Sequence, residues 1–179
     1  PPPKRHLALT AACGACGREA LPDLGKLGLS PPPPLAVDPD LLLALPERLG
    51  EAQRLFRATG GLHAAALFDR EGRLVALRED VGRHNALDKL IGWAFLQGKL
   101  PLHDHILLVS GRAGYELLVK AVAAGIPVFC AVSAPTSLAV ALAQAYGLTL
   151  VGFLRPGRMN VYAGRERVGP PRGLPNPCG

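Results

Sequence analysis

The chain has 179 residues, a formal net charge of +6, and 49% hydrophobic but only 5% aromatic residues. This length is enough for one well-buried domain, and the apolar content excludes an intrinsically disordered chain. The positive charge favours an anionic ligand, but the sequence has no basic run interleaved with aromatic residues and no recognition-helix motif, which argues against nucleic acid.

The first 40 residues are predicted to form a flexible arm. They contain the loop CGACG, with Cys13 and Cys16, and a polyproline run over residues 31–34 that favours extended geometry. We expect a folded domain over residues 41–165 and a tail over residues 166–179. Because the sequence opens with Pro1 and not with Met, we also expect a processed, truncated or partly given protein.

The segment after the arm has signals for two helices. A first helix is predicted to begin at Asp38-Pro39, where Asp suits the N-cap and Pro suits the first turn. Pro46 is predicted to start a second helix that ends at Gly60.

Strands and helices then alternate. The segments LHAAALFD and RLVALRED predict a hairpin with its turn at residues 69–72, and HNALDKLIGWAFLQG has one apolar helical face. They are followed by HILLVSG (strand), YELLVKAVAAG (helix), IPVFCAVSA (strand), SLAVALAQAYG (helix) and LTLVGFLR (strand). Apolar strands that alternate with helices predict an α/β fold with a mixed, mostly parallel sheet covered on both faces.

Residues 121–154 carry no charge, yet they do not predict a membrane span. Glycine, proline and polar residues divide this stretch into pieces of about ten residues or fewer, below the roughly 20 that a bilayer requires. The four cysteines do not form a disulfide framework. We therefore expect a cytoplasmic protein with no membrane partner.

Polar residues follow the predicted strands. In open α/β sheets, ligands bind beyond the carboxyl ends of the strands, where helix N-termini present backbone amides. The segments EDVGRHN, SGRAGYE, SAPTS and RPGRMN occupy such ends, so we expect them to converge on one anion-binding edge. They carry Arg83, His84, Arg112, Arg155 and Arg158, and the hydroxyls of Ser110, Ser133, Thr136 and Ser137. By contrast, His63 opens a strand and is interpreted as a structural residue whose polar atoms are satisfied.

The pair Cys13 and Cys16 has several interpretations. A structural zinc site needs four ligands, and Cys130 and Cys178 do not supply a second closely spaced pair. A dithiol oxidoreductase usually has its first cysteine at a helix N-terminus after a strand. A sulfur carrier needs an accessible thiolate in an uncrowded loop, which the glycine-rich sequence provides. Two cysteines without a chemical role are the remaining alternative.

Six segments together resemble the FdhD family of formate dehydrogenase accessory sulfurtransferases. They span Thr10 to Tyr162 and read CGACG, TGGLHAAALFD, EDVGRHNALDKLIG, SGRAGYELLVKAVAAGIP, SAPTSLAVALA and LTLVGFLRPGRMNVY. The resemblance implies a fold similar to cytidine deaminases, preceded by the cysteine-bearing arm. Where a zinc deaminase needs its ligands and its glutamate, this chain has residues 84–86 (HNA) and 110–112 (SGR), so no zinc is expected.

The resemblance also implies a function. Cys13 and Cys16 would be catalytic: Cys13 would take sulfur from a cysteine desulfurase as a persulfide, and Cys16 would assist. The acceptor would be the bis(molybdopterin guanine dinucleotide) cofactor of molybdenum or tungsten, before its insertion into formate dehydrogenase. The segment FLRPGR matches the cofactor-binding segment of the family; its residues are Phe153, Leu154, Arg155, Pro156, Gly157 and Arg158. We assign four further residues to the same ligand: Arg83, His84, Ser110 and Arg112.

The expected partners are the desulfurase, the formate dehydrogenase apoenzyme, a guanine-nucleotide-type ligand and a second copy of the chain in a homodimer. Two other functions stay open. One is a chaperone that binds the cofactor without transferring sulfur, and the other is a dithiol oxidoreductase.

Overall fold

A computed structural model describes residues 28–169 of the chain. Cys13, Cys16 and Cys178 therefore lie outside the described residues. The helices are α1 Pro39–Ala52, α2 Arg54–Thr59, α3 Arg83–Leu96, α4 Tyr115–Ala123 and α5 Ser137–Ala145. The strands are β1 His63–Asp69, β2 Leu74–Asp80, β3 His105–Val109, β4 Val128–Ala131, β5 Thr149–Arg155 and β6 Arg158–Ala163. None of these five helices has the length and apolar character needed to cross a bilayer.

The six strands form one sheet in the order β2-β1-β3-β4-β5-β6. The expected mixed α/β sheet is confirmed, but the described strands do not pair mostly in parallel. Only β3–β4 and β4–β5 are parallel, whereas β1–β2, β1–β3 and β5–β6 are antiparallel. Short turns join β1 to β2 and β5 to β6, and two strands joined by a tight turn pair antiparallel. Strand β6 is an addition to the sequence prediction.

Helices cover both faces of the sheet. Successive side chains of a strand point to opposite faces, so Leu107 and Phe129 pack towards α3, α4 and α5, while Leu108 and Cys130 pack towards α1. Leu45 of α1 is fully buried in this second cluster. The sheet is therefore covered on both faces, as the sequence predicts.

The first helix differs from its prediction. It begins at Pro39 with Asp38 as its N-cap, as expected, but it continues through Pro46 and ends at Ala52. Its buried face, formed by Leu42, Leu45 and Leu49, runs past the proline, and this burial offsets the backbone hydrogen bond that proline cannot make. The break falls at Gln53, and α2 ends where predicted, at Gly60 with a left-handed φ of 68°.

The described part of the predicted arm is packed against the domain. Leu35 and Val37 are buried in the same cluster as α1. Val37 N–H donates to the Arg167 carbonyl at 2.9 Å, and Gly169 N–H donates to the Val37 carbonyl at 3.2 Å. The boundaries at residues 40 and 166 stay predictions, but the chain on either side of them contributes to the core.

Gly152 provides a test of this packing. A Cβ atom there would lie 2.8 Å from Pro135 Cδ and 2.9 Å from Tyr162 Cε2, so Gly152→Ala forces β5 away from the loop after β4. We expect a loss of about 1–3 kcal/mol in the free energy of unfolding, measured by urea denaturation. The control is Gly92→Ala in α3, where nothing lies within 4 Å of the added atom and a gain of about 0.5–1 kcal/mol is expected. Equal stability of Gly152→Ala and the unsubstituted protein would contradict this packing.

Candidate functional site

One edge of the sheet collects the segments that the sequence predicted to converge. Strands β3, β4 and β5 run in the same direction and end there. Strand β1 is antiparallel to β3 and begins there, and β2 ends there because Asp80 pairs with His63. We call this edge the rim; it consists of His63 and residues 80–84, 110–114, 132–137 and 153–158. The predicted convergence of the segments is found, whereas their binding role stays a prediction.

Hydrogen bonds fix the loops of the rim to one another. Ser110 Oγ accepts from Ala64 N–H at 2.8 Å, and Ser110 N–H donates to the Ala64 carbonyl at 3.0 Å. Ala113 donates to the Ala134 carbonyl at 3.2 Å and accepts from Thr136 N–H at 3.0 Å. The side chains of these loops are therefore presented from a fixed backbone.

The arginines of the rim have no ion-pair partner among residues 28–169. Arg83 Nε is buried and makes no hydrogen bond within the same residues. The carboxylate of the rim, Asp80, is paired with Lys89 and not with an arginine. Arginines without a carboxylate partner favour an anionic ligand, and guanidinium groups match the oxygens of phosphate or carboxylate. These arginines are Arg83, Arg112, Arg155 and Arg158.

At the opposite end of the sheet, two arginines form ion pairs. There, Arg70 pairs with Asp104, and Arg73 pairs with Asp69 at 2.7 Å. Both of these arginines are therefore paired with carboxylates, unlike the four arginines of the rim.

A cleft of about 640 Å³ lies between helices α1 and α2 and the rim. This volume falls in the range of small-molecule sites. Glu79 of β2 holds the helix that forms one wall, because its carboxylate accepts from Phe56 N–H at 2.9 Å and from Leu55 N–H at 3.2 Å. The apolar lining comprises Pro46, Leu49, Phe56, Leu62, Val132, Leu154 and Pro156, and the polar lining comprises Gln53, His63, Ser110 and Arg155.

His63 differs from its sequence interpretation. It is half-buried and lines the cleft, and its imidazole has no hydrogen-bond partner within the described part of the chain. Its Nδ1 lies 3.3 Å from the position that a Cβ atom of Gly111 would occupy, and Arg83 Cδ lies 3.6 Å from the same position. The structure thus places His63 near Arg83, across Gly111, and in the lining of the same cleft as Ser110 and Arg155. The sequence could not indicate this, because it requires the pairing of β1 with β3.

His84 faces a different neighbour. Its Nδ1 lies 3.6 Å from Glu116 Oε2 of α4, and burial, followed by the charge of Arg83, lowers its pKa. His84 does not line the cleft. Gly82 is the N-cap of α3 and has no side chain to cap the helix. No side chain therefore caps the backbone N–H groups of the first turn, which the sequence analysis expected at this position.

The segment FLRPGR contains the end of the predicted strand LTLVGFLR and a turn at Pro156 and Gly157. Residues Phe153 to Arg155 end β5, and Arg158 begins β6. Phe153 has a φ of 51°, rare for a residue with a side chain, and its N–H donates to the Ser133 carbonyl at 3.2 Å. Such a conformation costs about 1–3 kcal/mol and is often found at functional sites. Leu154 and Arg155 line the cleft, whereas Phe153, Gly157 and Arg158 are exposed on the hairpin and Arg112 is exposed on its loop.

Cys130 is the one cysteine among the described residues. It is fully buried, and this burial raises the pKa of its thiol far above neutrality. Because the thiolate is the reactive form, Cys130 is unsuited to sulfur chemistry. Within residues 28–169, no group of three or more His, Cys, Asp or Glu side chains is arranged to hold a metal ion.

Comparisons with known proteins identify the class. The sequence model of the FdhD/NarQ family matches residues 2–169. The chain is 57% identical over 168 residues to the sulfur carrier protein FdhD of Streptomyces avermitilis, covering 92% of this chain and 60% of that protein. It is 50% identical over 164 residues to the sulfur carrier protein FdhD of Sulfurisphaera tokodaii, covering 92% and 63%. This chain belongs to the FdhD/NarQ family.

A crystal structure agrees with this assignment. The structure described as a formate dehydrogenase accessory protein from Desulfotalea psychrophila is similar with a TM-score of 0.71 and 31% sequence identity. The match covers 78% of this chain and 58% of that chain. The present chain thus spans about three fifths of the length of the relatives it matches.

Asp80 at the rim gives a prediction on pH. Its hydrogen bond with Lys89, followed by that with Gly82 N–H at 2.9 Å, lowers its pKa to about 2. The pKa of an aspartate in the unfolded chain is about 3.9. The ionised carboxylate therefore stabilises the fold above that pH, and this contribution is lost as the pH falls towards 2. In urea denaturation, the unsubstituted protein should lose stability more steeply over this interval than Asp80→Asn, and equal slopes would contradict the interaction.

Proposed function

We propose that this protein is a sulfurtransferase that serves formate dehydrogenase. It takes sulfur from a cysteine desulfurase as a persulfide on Cys13, with Cys16 assisting. It passes this sulfur to the bis(molybdopterin guanine dinucleotide) cofactor of molybdenum or tungsten. The observation that carries the proposal is a cleft beside a rim of unpaired arginines, in a chain whose relatives are named sulfur carriers.

The charge of the rim supports an anionic cargo. The proposed cofactor carries two diphosphate groups, and Arg155 at the cleft and Arg83 beside it offer guanidinium donors that suit them. The amides at the start of α3 add further donors. Phe153, two residues before Arg155, is 38% exposed, and an exposed aromatic ring can stack on a guanine base.

The sulfur chemistry requires a reactive thiol outside the core. In the proposed loading step, the Cys13 thiolate attacks the outer sulfur of the donor's persulfide. The new bond joins Cys13 to that sulfur, the old S–S bond breaks, and its electron pair leaves with the donor's cysteine. No external oxidant or reductant is needed. Cys130 cannot replace Cys13, because its thiol is buried and held in the neutral form.

The experiment compares Cys13→Ala with Cys130→Ala. Each protein is incubated with a cysteine desulfurase and cysteine, and bound sulfur is measured by mass spectrometry as the increment of one sulfur atom. We expect the increment to be lost in Cys13→Ala and kept in Cys130→Ala. Since Cys130 is buried, the second variant should be destabilised by about 1 kcal/mol, which urea denaturation measures.

Two outcomes would contradict the proposal. Full loading of Cys13→Ala would remove Cys13 from the reaction. Loading of neither the unsubstituted protein nor Cys130→Ala, with GDP binding retained, would favour the cofactor chaperone over the sulfurtransferase.

A further inference from the structure

His63 lies where the cleft meets the rim. It lines the cleft together with Ser110 and Arg155, and neither imidazole nitrogen has a hydrogen-bond partner in the described part of the chain. Ser110 Oγ is already engaged by Ala64 N–H at 2.8 Å. Within the described residues, the imidazole and the Arg155 guanidinium are therefore both available to a ligand in this cleft.

The charges around His63 are mostly positive. Arg155 of β5 lines the same cleft. Arg83 of α3 and the imidazole of His63 both lie close to the buried Gly111, and Arg112 is the next residue of that loop. Helices α1 and α2 bring no titratable side chain to the lining of the cleft.

The nearby acidic groups are occupied elsewhere. Asp80, opposite His63 on β2, is engaged by Lys89 and by Gly82 N–H, and Glu79 of β2 holds the start of α2. The remaining pair is Glu116 with His84, between α3 and α4.

We propose that His63 is a ligand for the phosphate groups of the cargo and that it takes up a proton when they bind. This inference rests on the anionic cargo of the proposed function, to which it adds a residue and a pH dependence. Histidine is the side chain that gains and loses a proton in the physiological range, and its protonated form donates from both nitrogens. A phosphate beside His63 favours that charged form, because opposite charges attract at short range.

Linkage turns this contact into a measurable pH dependence. A ligand that favours the protonated imidazole binds more tightly as the pH falls, by up to about tenfold for each pH unit over the range in which the proton is taken up. By the same linkage, rising pH favours release of the cargo. Arginine side chains are charged at every pH in this range, so Arg155 adds affinity without adding pH dependence.

The test measures the dissociation constant of GDP by calorimetry between pH 5.5 and 8, for the unsubstituted protein and for His63→Gln. We expect GDP binding to tighten more steeply with falling pH in the unsubstituted protein. The comparison is made between the two proteins because the phosphate of GDP also takes up a proton in this range, and that contribution cancels. His63→Asn serves as a second variant, and thermal denaturation confirms that each variant is folded.

Two control variants separate His63 from general effects. His103→Gln removes an exposed histidine outside the rim and should leave the slope unchanged. Arg155→Gln should weaken binding at every pH and keep the slope. If His63→Gln and His63→Asn bind GDP with the slope of the unsubstituted protein, the inference is wrong while the cargo site stands. If the unsubstituted protein binds no GDP at any pH, the cargo site itself fails, and the inference fails with it.

Discussion

The pairing of β1 with β3 is the constraint on which the rest of the site depends. Their antiparallel register brings the first residue of β1 to the edge where β3 ends, and the two hydrogen bonds between Ala64 and Ser110 hold it there. Because β2 in turn pairs with β1, the start of α3 reaches the same edge. A fold with only parallel central strands would place His63 at the opposite end of the sheet, away from Arg155.

The distribution of charge gives this edge its chemical character. At one end of the sheet Arg70 and Arg73 are paired with aspartates, and at the rim the described arginines have no carboxylate partner. A bound anion would supply the partner that these guanidinium groups lack. The apolar wall of the cleft, which Glu79 helps to hold through α2, adds a surface on which a flat ring can pack.

Local patterns explain why most elements were predictable. Short stretches of neighbouring residues determine three of these features: the N-cap at Asp38, the left-handed Gly60 and the apolar face of α3. The error at Pro46 arose because a local signal for a helix start was overridden by burial of Leu42, Leu45 and Leu49 along one continuous helix. Tertiary packing of this kind cannot be read from a proline alone.

The site was predictable only in part. The rule that ligands bind beyond strand ends found the rim segments, since each follows a recognisable strand. Strand β6 could have been predicted from the turn residues Pro156-Gly157 and from the alternation of the residues that follow them. Met159 and Val161, two positions apart, both pack against the cluster that contains α1. His63 gave no such signal, because its place in the cleft follows from which strands become neighbours.

A crystal structure of this chain with GDP would test the central claim most directly, namely that the rim is built to hold phosphate groups. We expect the diphosphate to lie in the part of the cleft that Arg155, His63 and Ser110 line. A diphosphate bound instead at the far end of the sheet, beside Arg70 and Arg73, would contradict it.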